Sequence, residues 1–332
     1  MTRKILVIRF SSIGDIILTT PVVRVLSEQL GAEVHFLTKP AFAPLLQANP
    51  YISRIITLSD DFESMIEVLR SHEYELIVDL HHNIRTQRIK MALKRPSKAF
   101  HKLNFQKWLL VRFGINRLPD IHIVDRYLST VSDLGIKPDG KGLDLFIPLE
   151  NKVNVHFDFG LIPNSYVAIV TGAAHQTKCM TTEQMIRLCH LLHKPVILLG
   201  GKGEMEKAEA IMHGTETINV VNACGTLDLL QSASVVNQSG VVITPDTGLM
   251  HMAAALRKPQ VVVWGNTVPE FGMYPYYGDE KIPWVSFEQD HLKCRPCSKL
   301  GYQQCPKGHF KCMLDHDLEA IASAAVKLID SN

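Results

Sequence analysis

Asp15 is the first residue whose type and position suggest catalysis. It follows an apolar run, Lys4–Phe10, and the turn residues Ser11 to Gly14, and it precedes a helical pattern. A carboxylate at the carboxyl end of a strand can take a proton from an acceptor hydroxyl. The alternative is a helix cap, in which Gly14 permits a tight turn. A helix N-terminus lowers the pKa of a carboxyl, so partial burial would have to offset that effect in a base.

The second half repeats this strand–turn–helix design at Val241–His251. Thr247 and Gly248 would present backbone N–H groups at the start of a helix, an arrangement that binds a diphosphate. His251 lies one turn into that helix and could donate to a phosphate or sugar oxygen. The alternative is a structural histidine, which is the commoner role of an isolated histidine on a helix.

Two further loops of the second half suit a nucleotide. Thr171–Lys178 has small residues and ends in a cation, which fits a phosphate beside backbone N–H groups. The alternative for Lys178 is a solvated charge. Gly200–Glu204 could seat a nucleotide, with Glu204 contacting ribose hydroxyls. Neither GxGxxG nor GxxxxGK[ST] occurs, which weakens the case for a dinucleotide enzyme or a P-loop ATPase.

The charge is unevenly distributed along the first half. No Asp or Glu occurs between Asp79 and Asp120, and aromatic residues are interleaved with cations there. The cations are Arg85, Arg88, Lys90, Lys94, Arg95, Lys98, Lys102, Lys107, Arg112 and Arg117. A solvated basic face is the default interpretation, but the length of this stretch, placed on one lobe, predicts a polyanionic partner. Anionic glycolipid, membrane surface and nucleic acid all remain open.

Four of the seven cysteines crowd near the C-terminus as Cys294-x2-Cys297-x7-Cys305-x6-Cys312, with His309 nearby. Four thiolates could hold one structural Zn²⁺ tetrahedrally. Ordinary thiols or a redox-labile pair are the alternatives. A catalytic role is not expected, because such a site would be coordinatively closed. An odd number of cysteines argues against a disulfide framework.

The elements that would position these residues are short Val/Ile-rich runs alternating with amphipathic stretches, which predicts parallel sheets covered on both faces. The predicted strands are Lys4–Phe10, Glu33–Thr38, Arg54–Leu58, Glu75–Leu80, Tyr166–Thr171, Pro195–Gly200, Thr217–Asn222, Val241–Thr244 and Gln260–Gly265. The predicted helices are Ile16–Leu30, Phe62–Ser71, Thr182–His193, Glu204–His213, Leu227–Val235, Thr247–Leu256 and a closing helix, Asp317–Leu328.

The pattern restarts after a Pro/Gly/Asn-rich stretch at 137–165, which includes a strand-like run, Leu143–Leu149. The sequence therefore predicts two doubly wound α/β domains, residues 1–155 and 156–332, with the cysteine-rich tail in the second. Ligands are expected at the carboxyl ends of strands and in the cleft between lobes.

Composition sets broader limits. The chain has 332 residues, 46% hydrophobic and 20% charged, and a formal charge of +2. No apolar run approaches the roughly 18–20 residues that span a bilayer. The basic, then apolar N-terminus is interrupted by Arg9 and lacks a cleavage site, so it predicts a first strand and a cytoplasmic protein.

Taken together, these segments resemble glycosyltransferase family 9, the ADP-heptose:lipopolysaccharide heptosyltransferases. The matching segments are ILVIRFSSIGDIILTTPVVRVL, ELIVDLHHNIRTQRI, TGAAHQTK, VILLGGKGE, ITPDTGLMHMAAALRKPQVVVWGNTVP and CRPCSKLGYQQCPKGHFKCM. They span nearly the whole chain, in order. Many members follow the position of Lys178 with a Trp-Pro pair, whereas this chain has Cys179 and Met180.

The resemblance implies a GT-B fold, two Rossmann-like domains facing across a cleft, and inversion at the anomeric carbon without a catalytic metal. Asp15 would be the general base and Lys178 would stabilise the leaving diphosphate. The donor, an ADP-sugar, would be held by Gly14, Glu204, Asp246, Thr247, Gly248 and His251. The acceptor would be an acidic sugar of a lipopolysaccharide core at the inner face of the cytoplasmic membrane, contacting Arg85, Arg88, Lys94 and Arg95.

Two other functions remain open at this point. A nucleotide-sugar epimerase on the same two-lobed fold would need no lipid acceptor. A zinc-stabilised nucleic-acid-binding protein would use the basic stretch, but it leaves the Asp-Thr-Gly element without a role, so no nucleic-acid partner is expected.

Overall fold

The computed structural model describes residues 3–216 and 218–331. Its strands are β1 (Lys4–Ile8), β2 (Glu33–Thr38), β3 (Arg54–Thr57), β4 (Leu76–Asp79), β5 (Ser97–Ala99), β6 (Val167–Val170), β7 (Val196–Leu199), β8 (Val220–Asn222), β9 (Val241–Thr244), β10 (Gln260–Val263) and β11 (Trp284–Phe287). Its α-helices are α1 (Ile13–Ile17), α2 (Thr20–Leu30), α3 (Phe62–Ser71), α4 (Ile84–Leu93), α5 (Asn104–Phe113), α6 (Ile123–Ser129), α7 (Val155–Phe159), α8 (Thr182–Leu192), α9 (Met205–Gly214), α10 (Leu229–Asn237), α11 (Gly248–Ala255), α12 (Lys311–Leu314) and α13 (Leu318–Asp330).

The chain forms two compact units. Unit 1 contains the residues up to Leu103, together with Ile121–Phe146 and Tyr276–Glu280. Unit 2 contains Asn104–Asp120, Ile147–Pro275 and the chain from Lys281 onward. The chain therefore passes between the units more than once, whereas the sequence predicts a single boundary after residue 155.

Each unit is built on a parallel sheet. The strand order in unit 1 is β3-β2-β1-β4-β5, and in unit 2 it is β11-β10-β9-β6-β7-β8. Every pairing is parallel, with β1 in register between β2 and β4, and β6 between β7 and β9. The strand order reverses between β1 and β4 in unit 1 and between β6 and β9 in unit 2. This is the doubly wound, Rossmann-like topology, and it confirms the predicted fold class.

Alternating strand residues explain why these runs are apolar throughout. On β6, Val167 and Ile169 belong to a core packed against α8, α9 and α13. The residues between and after them, Ala168 and Val170, belong to the opposite core, which packs against α7, α10 and α11. A strand covered on both faces buries both of its side-chain sets, so its sequence shows no polar alternation.

Some predicted elements need correction. The pattern Ile16–Leu30 forms two helices, α1 and α2, because Pro21 lies in the first turn of α2 and cannot extend a preceding helix. The strand-like run Leu143–Leu149 is not a strand. There the backbone N–H of Asp144 donates to Thr20 Oγ1, 2.9 Å away, instead of to a neighbouring strand. The predicted strand Thr217–Asn222 is observed as β8, and Thr217 lies outside the described residues.

The basic stretch is not confined to one lobe, contrary to the prediction. Residues 104–120, including α5, pack with unit 2. The cause is apolar contact: Leu110 is buried with Val268 and Phe271. Apolar contacts between residues so far apart in sequence cannot be read from local periodicity. Over the part of the chain that the structure describes, no helix is long and apolar enough to cross a membrane.

Candidate functional site

Strand topology selects one place in each unit for a ligand. In doubly wound sheets, crevices open at the carboxyl ends of the two strands where the order reverses. These strands are β1 and β4 in unit 1 and β6 and β9 in unit 2. Asp15 lies in the segment after β1, Lys178 in the loop after β6, and Asp246 two residues after β9. The fold thus places these three predicted residues at its two switch points.

Asp15 is held by two neighbours in unit 1. Its Oδ1 forms an ion pair with Arg9 Nη2 at 2.6 Å, and its side chain is 21% exposed. Its Oδ2 accepts hydrogen bonds from the backbone N and the Oγ of Ser12, at 3.0 and 2.9 Å. Arg9 is fixed in turn by the carbonyl of Leu80 and by Tyr127 Oη, the latter at 3.0 Å. Arg9 was not among the predicted site residues.

The pKa of Asp15 is lowered on balance. Burial acts to raise it, but attraction to Arg9 and the hydrogen bonds from Ser12 outweigh burial. A base at this position was expected to have its pKa restored by partial burial. Burial does not restore the pKa of Asp15. Gly14 lies within α1 and does not have a positive φ, so its backbone conformation does not require glycine.

Asp79, the last residue of β4, and His81, two residues later, lie at the same edge of unit 1. Asp79 Oδ1 accepts from the backbone N of His81 and of His82, at 3.1 and 2.6 Å, and its Oδ2 lies 3.0 Å from Lys90 Nζ. The His81 ring centroid is 4.8 Å from that of Phe10. Burial, followed by the charge of Arg9, lowers the pKa of His81 to about 4. This edge therefore presents a neutral imidazole at neutral pH.

In unit 2, Lys178 and Asp246 form one ion-paired cluster. Lys178 Nζ lies 2.7 Å from Asp246 Oδ2, and the side chains are 14% and 15% exposed. The same oxygen accepts a hydrogen bond from Thr267 Oγ1 at 2.8 Å. Nζ also donates to the Asp246 carbonyl at 3.3 Å. An ammonium has three N–H donors, so these two bonds leave one donor of Lys178 for a ligand. Thr267 was not among the predicted site residues. Its position four residues after β10, at the same sheet edge, was the available signal.

The helix α11 begins beside this cluster. Thr247 is its N-cap residue and Gly248 its first helical residue, and both are partly exposed. The first N–H groups of a helix have no partner within the helix and carry a partial positive charge. They form an anion-binding surface next to the Lys178 ammonium. His251, which the sequence assigned to the donor, is only 2% exposed.

Glu204 lines a cavity of about 380 Å³ formed by the residues after β6 and β7 and the starts of α8 and α9. Its Oε2 accepts from the backbone N of Gly201 at 2.9 Å. A Cβ on Gly172 would lie 2.5 Å from the Glu204 side chain, so only glycine leaves that space. Lys207 also lines the cavity and donates to the carbonyls of Thr171 and Met180, at 3.0 and 2.6 Å. Lys207 was not among the predicted site residues; burial lowers its pKa.

The predicted acceptor residues do not form one cluster. Arg85 and Arg88 lie in the first half of α4, whose N-cap follows β4, and both are exposed. Arg88 Cζ lies 4.6 Å from the centre of the Phe62 ring. Lys94 is the C-cap residue of α4 and Arg95 follows it, shortly before β5, at the amino edge of the sheet. Within unit 1 the structure therefore brings Arg85 to the edge that carries Asp15 and leaves Lys94 and Arg95 at the opposite edge.

The tail cysteines are free thiols. Burial, and then the neighbouring Cys297 and Cys305, raise the pKa of Cys312 to about 12. Cys294 Sγ lies 3.6 Å from His309 Nε2. Across residues 3–216 and 218–331, no group of three or more His, Cys, Asp or Glu side chains is arranged to hold a metal ion. The zinc site stays a prediction.

Known proteins resemble this chain over most of its length. Lipopolysaccharide heptosyltransferase 3 of Escherichia coli is 24% identical over 275 residues, which cover 76% of this chain and 81% of that protein. A family 9 glycosyl transferase from Veillonella parvula superimposes with a TM-score of 0.78 at 20% identity, covering 99% of this chain and 98% of that one. The ADP-heptose lps heptosyltransferase II of E. coli superimposes with a TM-score of 0.74 at 19% identity, covering 99% of both chains.

These two structures support the fold, the GT-B class of paired Rossmann-like domains. The family model for glycosyltransferase family 9 (heptosyltransferase) matches residues 62–303, well over half of the chain. The protein is therefore a glycosyltransferase and belongs to glycosyltransferase family 9.

Proposed function

We propose that this enzyme transfers a heptose, or a closely related sugar, from an ADP-sugar to an acidic lipopolysaccharide-core acceptor, with inversion at the anomeric carbon. The observation that carries the proposal is the Lys178–Asp246–Thr267 cluster beside the start of α11. A cation and free helix N–H groups at a switch point suit the diphosphate of a nucleotide sugar. The relatives named above include an ADP-heptose enzyme and a lipopolysaccharide enzyme.

The donor contacts follow from this geometry. The β-phosphate lies at Thr247 and Gly248 and near Lys178, where backbone N–H groups and the ammonium are available. Asp246 accepts hydroxyl groups of the sugar with the acceptor capacity that Lys178 and Thr267 leave unused. Glu204 accepts ribose hydroxyls at the edge of the adjacent cavity. As the bond to the anomeric carbon breaks, negative charge grows on the diphosphate, and Lys178 stabilises it.

Asp15 is the proposed general base. It is ionised at neutral pH, because its pKa is lowered. A carboxylate of low basicity does not deprotonate a free hydroxyl to any extent. It can accept the proton as the hydroxyl becomes acidic in the transition state, when the new C–O bond forms. Arg9, by fixing Oδ1, leaves the carboxylate in one orientation.

The acceptor proposal rests on charge. Arg85 and Arg88 are exposed cations on the half of α4 nearest the carboxyl edge of unit 1. Exposed cations without buried partners attract phosphate and carboxylate groups, and clustered ones attract an anionic membrane surface. We therefore place the enzyme at the inner face of the cytoplasmic membrane, bound peripherally. Binding to vesicles that contain the glycolipid acceptor should weaken as salt is raised.

The chemistry proposed here uses no catalytic metal, because Lys178 and the start of α11 supply the positive charge that a metal ion supplies elsewhere. Treatment with EDTA should leave turnover unchanged, and a loss restored by Mg²⁺ would contradict this. A structural zinc ion on Cys294, Cys297, Cys305 and Cys312 would be separate from the reaction. Metal analysis of the purified protein tests it, since one zinc per chain that C294S/C297S loses would support the site.

The direct test of the function is product analysis. The purified enzyme is mixed with an ADP-heptose and a delipidated core acceptor. Mass spectrometry then measures the mass of the product, and NMR determines its anomeric configuration. One added heptose of inverted configuration is expected. Transfer from other nucleotide sugars but not from ADP-sugars would refute the donor, and a retained configuration would refute the mechanism. Isomerisation of the sugar without acceptor would favour the epimerase alternative, which family membership argues against.

A further inference from the structure

Arg295 lies between Cys294 and Pro296, and its side chain is only 3% exposed. Its Nη1 forms an ion pair with Glu288 at 2.8 Å. The other two nitrogens do not contact carboxylates. Nε donates to the carbonyl of Gly265 at 2.9 Å, and Nη2 donates to that of Thr267 at 2.8 Å. A planar guanidinium directs its donors at fixed angles, so these bonds fix the backbone of the loop after β10.

That loop contacts both residues of the Lys178–Asp246 pair. Thr267 donates its hydroxyl to Asp246 Oδ2. Gly265 packs against the backbone of Thr177 and Lys178. A Cβ at Gly265 would lie 2.3 Å from the Thr177 carbonyl oxygen and 3.1 Å from Lys178 Cα. The contact has no spare room. A shift of Gly265 would therefore move Thr177 and Lys178, and a shift of Thr267 would change the partners of Asp246.

A second set of bonds joins the same cysteine-rich segment, residues 294–312, to the loop that carries Lys178. Tyr302 donates its backbone N–H to Thr177 Oγ1 at 2.8 Å, and Thr177 donates its own N–H to the Tyr302 carbonyl at 3.1 Å. Thr177 Oγ1 also reaches Asn266 Oδ1 at 2.9 Å. The segment thus contacts two of the three loops that supply the donor cluster, those that carry Lys178 and Thr267. Arg295 is its buried charged contact.

We propose that Arg295 is a positioning residue for sugar transfer. It holds Gly265 and Thr267 so that Asp246 and Lys178 keep the geometry that stabilises the departing diphosphate. The cysteine-rich segment is then part of the scaffold of the donor site. This inference depends on the proposed roles of Lys178 and Asp246. Arg295 itself touches neither the donor nor the reacting atoms.

The first test is R295K. Lysine keeps the charge and can pair with Glu288, but it cannot direct bonds at two carbonyls in the same fixed fork. We expect kcat to fall about tenfold or more, with the donor KM within about threefold, because a misplacement of about 1 Å can cost ~10²-fold in rate. R187K is the matched control, since Arg187 makes an exposed pair with Glu319 on the same unit, and it should retain parental kcat. A kcat for R295K within twofold of the parent would overturn the proposal.

The second test asks whether Arg295 acts through Thr267. Rates are compared for R295K, T267V and the double variant. If both residues serve one geometry, the combined loss should be much smaller than the product of the single losses. Losses that simply multiply would show that Arg295 acts elsewhere. E288Q gives a further comparison, because it removes the ion pair and leaves both carbonyl bonds, so it should reduce kcat less than R295K does.

A measurement without substrate separates this inference from the proposed function. Hydrogen exchange of the ligand-free protein should be faster in R295K than in the parent at residues 175–180 and 264–268, and unchanged in β1–β5 of unit 1. If the parent transfers no sugar from any ADP-sugar but R295K loosens these loops, the donor assignment fails and the positioning role stands. Unchanged exchange at both loops would refute the positioning role whatever the parent catalyses.

Discussion

Asp15 combines a lowered pKa with a position at the carboxyl end of β1, and its ion pair with Arg9 links the two properties. The carboxylate is ionised throughout the neutral range and is fixed in orientation. These features suit a group that assists proton removal late in the reaction. They also stabilise the start of α1, so a loss of activity on substitution needs a control for folding.

The first prediction concerns D15A. We expect turnover to fall about 10²-fold or more, the usual scale for a positioned base, while affinity for ADP stays within about twofold. Steady-state kinetics and titration calorimetry measure the two quantities. D61A is the matched control, because Asp61 caps α3 of the same unit by accepting from Ser64 N. D61A should lose some stability and keep its turnover. Full activity in D15A would exclude Asp15 as the base.

The second prediction concerns pH. The folded-state pKa of Asp15 is below its ordinary value of 3.8, so the ionised carboxylate stabilises the native state above pH 3.8. This contribution is lost as the pH falls through the lowered folded-state pKa. In urea unfolding, D15N should therefore be less stable than the parent at pH 7, and the difference should shrink below pH 3.8. A difference that grows on acidification would reverse the sign of the pKa shift.

The third prediction concerns K178M. Removing the ammonium should lower turnover by about 10²- to 10³-fold, the scale of losing one preorganised group that stabilises developing charge. It should also weaken ADP binding, since Asp246 is left without its cation near the diphosphate. K194M is the control, because Lys194 pairs with Asp330 at the surface of the same unit. An unchanged ADP affinity in K178M would place the diphosphate elsewhere.

At the scale of elements, local patterns predicted some parts of the fold well. Glu33–Thr38, Val241–Thr244 and Phe62–Ser71 are observed at the predicted residues, because buried strands and one-sided helices have distinct apolar periods. The segments β5 and β11 were missed. β5 has three polar or small residues and β11 carries an exposed serine, so neither segment shows the apolar pattern of a buried strand. Both are strands because they pair with a neighbouring strand of the sheet.

The candidate site shows a similar division. Asp15, Lys178 and Asp246 were predicted because each follows an apolar strand. Arg9, Thr267, Lys207 and Arg295 were missed, because their roles arise from partners distant in sequence, such as Leu80 for Arg9 and Gly265 for Arg295. The charge of the basic stretch was predicted, but its division between the units was not. That division follows from the contact of Leu110 with Phe271.

The fourth prediction tests this contact. F271A removes the aromatic ring against which α5 packs and leaves a cavity, which costs about 3 kcal/mol in a well-packed core and less in a small cluster. Hydrogen exchange in Asn104–Phe113 should rise, while exchange in α4 of unit 1 stays at the parental rate. V68A is the control, because Val68 is an exposed apolar residue of α3. Unchanged protection of α5 would show that Phe271 does not hold it.

At the scale of the whole molecule, the two units can be followed separately. The three tryptophans, Trp108, Trp264 and Trp284, all belong to unit 2, so tryptophan fluorescence reports the unfolding of that unit. Far-ultraviolet circular dichroism reports both units. A ligand that binds the native state raises its stability by about 2.7 kcal/mol at a hundredfold excess over Kd. Because Glu204, Lys178 and Asp246 lie in unit 2, donor binding should stabilise the fluorescence transition.

The fifth prediction is a thermal-shift comparison of ADP, UDP, GDP and CDP, read by both signals. ADP should raise the midpoint of the fluorescence transition by several degrees. The other nucleotides should raise it less if the site binds an adenine nucleotide, as proposed. K178M should lose most of the shift and K194M should keep it, because only Lys178 lies beside the proposed diphosphate. A larger shift with UDP or GDP would change the donor base and leave the diphosphate site intact. A shift of equal size in K178M would remove the physical basis of the donor assignment, since the charge that it depends on would then be dispensable.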